Sequence, residues 1–290
     1  MPNTAADFSL LVRRAEAMLN KLEAWLPEPP AIPDWERHIA FRWRRRGLQG
    51  WLEGITVPQT IAAAQLTGID AQKKSITQNT EQFIAGKPAN NVLLTGARGT
   101  GKSSLVKAML QAYSGQGLRM IEVDKDYLAD LADITIQLTH RPERFILFCD
   151  DLSFAAEDAG YKSLKVALDG TLAAPPDNVL IYATSNRRHL LPEYMHENEA
   201  TLHRDGEVHP HEAIEEKISL SERFGLWLSF YPFDQETYLA SVAIWLNGFG
   251  IQDELTGEIR HEALQWALTR GTRSGRSAWQ FARDYAGRNR

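Results

Sequence analysis

The chain has 290 residues, 43% of them hydrophobic and 24% charged, with a formal net charge of −5. That length supports one large or two modest domains with a proper core, and the acidic balance excludes a wholesale electrostatic grip on nucleic acid, leaving only a local basic patch to make such a contact. No apolar run approaches the roughly 18–20 residues that span a bilayer, the single cysteine, Cys149, excludes an intramolecular disulfide framework, and the N-terminus lacks the basic-then-apolar order of a signal peptide, so a cytoplasmic protein is expected.

In chain order, the first predicted element is an amphipathic helix from residue 5 to about 26. Phe8, Leu11, Val12, Ala15, Met18, Leu19, Leu22, Trp25 and Leu26 recur at steps of three and four. Leu26-Pro27-Glu28-Pro29-Pro30 ends it, because proline cannot continue a helix. Residues 1–30 therefore read as a separate element on a stiff linker. Its apolar seam suits packing on its own domain or pairing with a partner helix.

Residues 31–65 form a basic and aromatic extension. Its window FRWRRRGLQGW places Arg42, Arg44, Arg45 and Arg46 among Phe41, Trp43 and Trp51. Cations interleaved with stacking surfaces suit single-stranded nucleic acid. A solvated basic helix face, or pairing with the chain's own carboxylates, accounts for the same residues. From Leu66 a helical pattern runs through Ile76, Thr80 and Phe83 to Gly86-Lys87-Pro88.

The apolar run Asn91–Thr95 then leads into Gly96-Ala97-Arg98-Gly99-Thr100-Gly101-Lys102-Ser103-Ser104. Strand, glycine-rich loop and helix stand in the order that a phosphate-binding loop requires. Glycines let successive amides point inward, and the helix from about Ser104 to Tyr113 adds its positive end. Lys102 offers a point charge to the β- and γ-phosphates and Ser103 a hydroxyl to Mg²⁺.

Strand-like runs at Leu118–Val123, Phe145–Cys149, Val179–Thr184 and Leu226–Phe230 alternate with helical patterns at about Asp124–Thr139 and Tyr161–Leu168. This alternation predicts an α/β domain over 66–233, a parallel sheet with helices on both faces. Asp150 and Asp151, at the end of the buried run Phe145–Cys149, are placed to hold Mg²⁺ and to orient an attacking water, respectively. From residue 234 to 290 the pattern is helical only, at Thr237–Leu246, Glu262–Thr269 and Ser277–Tyr285, which predicts a small all-helical lid.

Taken together these motifs resemble those of the AAA+ ATPases, and within them a poorly characterised bacterial group of initiator- or helicase-loader-like character. The resemblance covers about Leu66 to Tyr285 and runs through Gly68-Ile69-Asp70, the loop, Asp150-Asp151 and Ser221-Glu222-Arg223-Phe224-Gly225. It implies ATP and Mg²⁺ as ligands, and adenine against Leu66, Gly68 and Ile69. It also implies Asn186 as a polar residue at a strand tip that helps position the attacking water. Arg223 is implied as an arginine finger offered to a neighbouring subunit, and Arg276, with Arg273 in reserve, as a cation reaching back from the lid. Many hydrolytic relatives carry Glu where this chain has Asp151. The side chain here is one methylene shorter, so slow hydrolysis is expected.

An acting arginine finger implies a homo-oligomer, a ring or an open spiral. The expected function is an ATP-dependent switch, loader or remodeller of a protein or nucleoprotein partner; the alternative is a small-molecule kinase using the same loop. The polar, acidic stretch 192–220 contains His196, His203, His209 and His211. It lacks an established metal-ligand spacing and reads as a projecting loop that recruits a protein partner. No nucleophile elbow is present, and Cys149 lies in a buried strand pattern.

Overall fold

The computed structural model describes residues 4–23, 31–154, 158–169, 176–187, 220–251 and 255–289. The chain divides into two units, 1–33 and 34–290. In the first, helix α1 spans Thr4–Glu23, and Phe8, Leu11, Met18 and Leu19 on its apolar seam are exposed. Most of the 192–220 stretch, with its four histidines, lies outside the described residues, as do Trp25 and Leu26. Among the described residues no helix is long and apolar enough to cross a membrane.

The second unit is built on a seven-stranded sheet of order β2-β1-β4-β5-β6-β3-β7. The strands are β1 (Ala40–Arg46), β2 (Gln49–Gly54), β3 (Val92–Gly96), β4 (Leu118–Glu122), β5 (Arg144–Cys149), β6 (Val179–Ser185) and β7 (Leu226–Phe230). Every neighbouring pair is parallel except β1 and β2. Parallel strands need covering on both faces, and the central strands β3, β5 and β6 are accordingly mostly apolar. The period of two divides each strand between two cores. Phe145, Leu147 and Cys149 of β5 join one core, and Ile146 and Phe148 join the other.

Helices α4 (Leu131–Leu138) and α5 (Ala159–Asp169) cover the first face. Helices α2 (Asp70–Ile84) and α3 (Lys102–Tyr113) cover the second. A third core lies inside the lid, helices α6 (Gln235–Gly248), α7 (Gly257–Thr269) and α8 (Gly275–Arg288).

The basic window is not a helix face: it is the β1–β2 hairpin, and it enlarges the sheet. Phe41 and Trp43 point into the core, with the Trp43 indole donating to buried Asp130 at 2.9 Å. Arg42, Arg44 and Arg45 pair with Glu122, Glu53 and Asp130. Gly50 is required beneath Trp43, since a Cβ there would lie 2.0 Å from the indole ring. The pairing leaves three of the four arginines already engaged, so these residues do not by themselves support the single-strand contact.

One buried polar network ties α2 to β6 and to the segment just before β3. Tyr182 of β6 is fully buried, and its hydroxyl accepts from Asn79 at 3.1 Å and bonds Thr80 at 2.9 Å, both on α2. Asn79 also joins both the N–H and C=O of Asn90, just before β3. Tyr182→Phe is expected to cost about 1–2 kcal/mol, the value of a buried hydrogen-bond group, seen as a lower urea midpoint with an unchanged slope.

Candidate functional site

The loop after β3 and the tips of β5 and β6 meet at the carboxyl ends of the parallel strands, where open α/β sheets bind ligands. Gly96, Gly99 and Gly101 have φ of +134°, +76° and +101°, a left-handed path that side chains resist. At Gly96 space is also lacking, because a Cβ would lie 1.9 Å from the Phe230 carbonyl oxygen of β7. Helix α3 begins at Lys102 with Gly101 as its cap and no side-chain cap. Its first amides therefore lack intrahelical partners, and an anion fits there.

Lys102 is largely buried as a residue, and its ammonium donates to the carbonyls of Gly96 and Ala97, each at 2.8 Å, and to Asn186 Oδ1 at 3.0 Å. Burial pulls its pKa down from an ordinary 10.5 to about 8, against the attraction of Asp151 and Asp150. Asp150 Oδ1 accepts from the Ser103 and Thr184 hydroxyls, both at 2.6 Å. A hydroxyl and a carboxylate are the hard oxygen donors that suit Mg²⁺.

Asp151 stands in the left-handed region with φ +53°. Its amide donates to Thr184 Oγ1 at 2.8 Å, and its carboxylate accepts from Asn186 Nδ2. Lys102, Asn186 and Asp151 thus form one hydrogen-bonded chain.

A cavity of about 740 Å³ runs from these groups to the lid. Arg98, Thr100, Ser104 and the other loop residues from Arg98 to Lys102 line one end. Leu66, Thr67, Trp245 of α6 and Trp279 of α8 line the same cavity. Arg276 lines the cavity from the first turn of α8.

Gly68, with φ +70°, packs against the lid, where a Cβ would sit 2.4 Å from the Thr237 methyl. The Ile69 side chain reaches toward Gly101. Ser274 and Ser277 cap α8 reciprocally, and the next amide, Gly275, donates to the Gly99 carbonyl at 2.9 Å. The loop and the lid are therefore bonded directly.

Arg223 lies in the turn before β7 and pairs with Asp169 of the same chain. Cys149 is fully buried with its thiol pKa pushed up to about 12, the state of an inert core thiol. Thr184, Trp245, Trp279 and Gly275 escaped the sequence reading. Thr184 had one available signal, its position immediately before Ser185-Asn186 on a strand that ends beside Asp150.

The family described as protein of unknown function (DUF815) matches residues 36–289. No curated protein matches the chain. Among solved structures, a variant of Thermotoga maritima RuvB superposes with a TM-score of 0.50 at 17% identity, over 77% of this chain and 63% of that one. A second RuvB variant gives 0.48 at 14% identity, over 76% and 70%. The Aeropyrum pernix ORC1 protein in complex with DNA gives 0.49 at 16%, over 81% and 63%. The chain thus spans less than two thirds of two of these structures. It belongs to the DUF815 family, and its parallel sheet, phosphate loop and helical lid are those of an AAA+ fold.

Proposed function

We propose that the protein binds MgATP in the cavity between sheet and lid and hydrolyses it slowly, as an oligomeric switch, loader or remodeller of a partner. One observation carries this reading: a single cavity is lined by Lys102, Ser103, Asp150, Asp151, Asn186 and Arg276. MgATP brings the phosphoanhydride to be cleaved and a cation that neutralises charge on its phosphates.

The chain's own groups do the rest. The loop amides and Lys102 hold the phosphates, Ser103 and Asp150 hold the metal, and Leu66, Thr67 and the two lid tryptophans enclose the base. Asp151 takes up the proton of the attacking water or orients it, with Asn186 fixing the carboxylate. Arg276 meets the phosphates from the lid, so nucleotide state sets the lid angle. Arg223 acts on the nucleotide of a neighbouring subunit in a ring or spiral, and the 192–220 stretch recruits the partner. The kinase alternative is not favoured by an AAA+ fold.

Phosphate release measured against protein concentration tests the proposal, with Lys102→Ala and Arg223→Ala beside the intact protein. The expected result is a per-subunit rate that rises with concentration and is lost in both variants. A rate that Lys102→Ala leaves intact would overturn the assignment of this site.

A further inference from the structure

The segment that carries Arg223 is anchored by buried neighbours. Leu220 and Ser221 are fully buried and Phe224 nearly so, and the turn is closed by Arg223 N–H to Leu220 and Phe224 N–H to Ser221 at 3.3 and 3.2 Å. Leu220 and Phe224 share a core cluster with Tyr161 and Leu164 of α5, so the turn and that helix are held to one another. The Arg223 side chain differs. Its Nε donates to Asp169 Oδ1, and the pair is partly open to solvent, with side-chain exposures of 24% and 44%.

Asp169 is the last described residue of α5. An arginine read as stabilising charge on another subunit's nucleotide thus pairs with an anion of its own subunit.

We propose that Asp169 is a positioning residue that retains Arg223 within its own subunit, and so sets the protein concentration at which the assembly becomes active. The proposal rests on the reading of Arg223 as a residue supplied to a neighbouring subunit. A neighbour's nucleotide competes with Asp169 for one guanidinium. Dilute protein therefore stays idle even with nucleotide bound.

The test is the concentration dependence of phosphate release for Asp169→Asn, Asp169→Glu, Arg223→Ala and the Asp169→Asn/Arg223→Ala double variant. Partly exposed ion pairs are weak, so Asp169→Asn should lower the half-maximal protein concentration by about two- to fivefold. Its per-subunit plateau should match that of the intact protein. Asp169→Glu should restore the intact midpoint, and the double variant should be as inactive as Arg223→Ala. Thermal melts that overlay the intact curve would show that folding is not the cause.

An unchanged or raised midpoint in Asp169→Asn, with Arg223→Ala inactive, would overturn the retention proposal and leave the role of Arg223 standing. Full activity in Arg223→Ala would overturn the role of Arg223 itself.

Discussion

Lys102→Ala is expected to weaken ATP binding by about 10–100-fold, the worth of a hydrogen bond to a charged group. It should also reduce turnover by about 10²–10³-fold, as loss of a preorganised donor at a reacting centre does. The fold should survive, because the variant also removes a buried charge. The same residue predicts a pH dependence. Its pKa of about 8 in the folded protein lies below the ordinary 10.5, so the charge that meets phosphate is present at pH 7 and is lost as pH rises through about 8. ATP affinity should then fall with rising pH, by at most about tenfold per unit.

The stability linkage has the opposite sign. Between about 8 and 10.5 the unfolded chain binds more protons at this lysine than the folded one, so its contribution to stability increases across that window. Weakened binding near pH 9 is therefore not explained by unfolding through Lys102. Calorimetric titrations from pH 6.5 to 9, with a thermal melt at each pH, separate the two effects.

Gly99→Val should uncouple the lid from the phosphate loop. A Cβ at Gly99 would lie 2.9 Å from Ser274 Oγ, 3.0 Å from Ser274 Cβ and 3.3 Å from Arg276 Cβ. Its φ of +76° adds a backbone penalty of about 1–2 kcal/mol for any L side chain. Something must shift, and what lies against it is the start of α8, held by the Gly275 bond to the Gly99 carbonyl. ATP affinity should fall by about tenfold or more, since Arg276 and Trp279 leave the cavity together with α8.

Gly117→Ala provides the comparison. Gly117 has φ +90° but nothing within 4 Å of an added Cβ, so it should cost only the backbone term, about 1 kcal/mol, and leave affinity unchanged. Equal binding by the two variants would show that the loop–lid contact has no part in holding nucleotide.

The parts of this site that were legible in the sequence share one property: each is a local pattern. Val92 to Ser104 combines a buried strand, a glycine path and a helix start within 13 residues, and the paired acids follow an unbroken apolar run. Strands β3 to β7 could be read because burial on both faces leaves mainly apolar stretches.

The β1–β2 hairpin was obscured by its charge. Phe41, Arg42, Trp43 and Arg44 do alternate with the period of a strand, but four arginines draw attention to solvent or nucleic acid. The carboxylates that pair with three of them lie as far away as Glu122 and Asp130.

The loop–lid contact left no trace at all. A bond from one backbone amide to one backbone carbonyl, Gly275 to Gly99, depends on no side chain. Trp245 and Trp279 belong to no motif in the sequence, and only the assembled cavity brings them together with Leu66 and Thr67. For Arg223, the Ser-x-Arg-Phe resemblance pointed outward to another subunit. Its partner within the chain, Asp169, lies 54 residues earlier and follows no pattern that sequence spacing could reveal.

Nucleotide binding at this site is tested most directly by calorimetric titration of ATP, with and without Mg²⁺, into intact protein and Lys102→Ala at pH 7. Saturable one-site binding that Mg²⁺ strengthens and Lys102→Ala weakens by at least about tenfold is the predicted result. Absence of saturable binding at millimolar ATP, or binding that Lys102→Ala leaves unchanged, would contradict it.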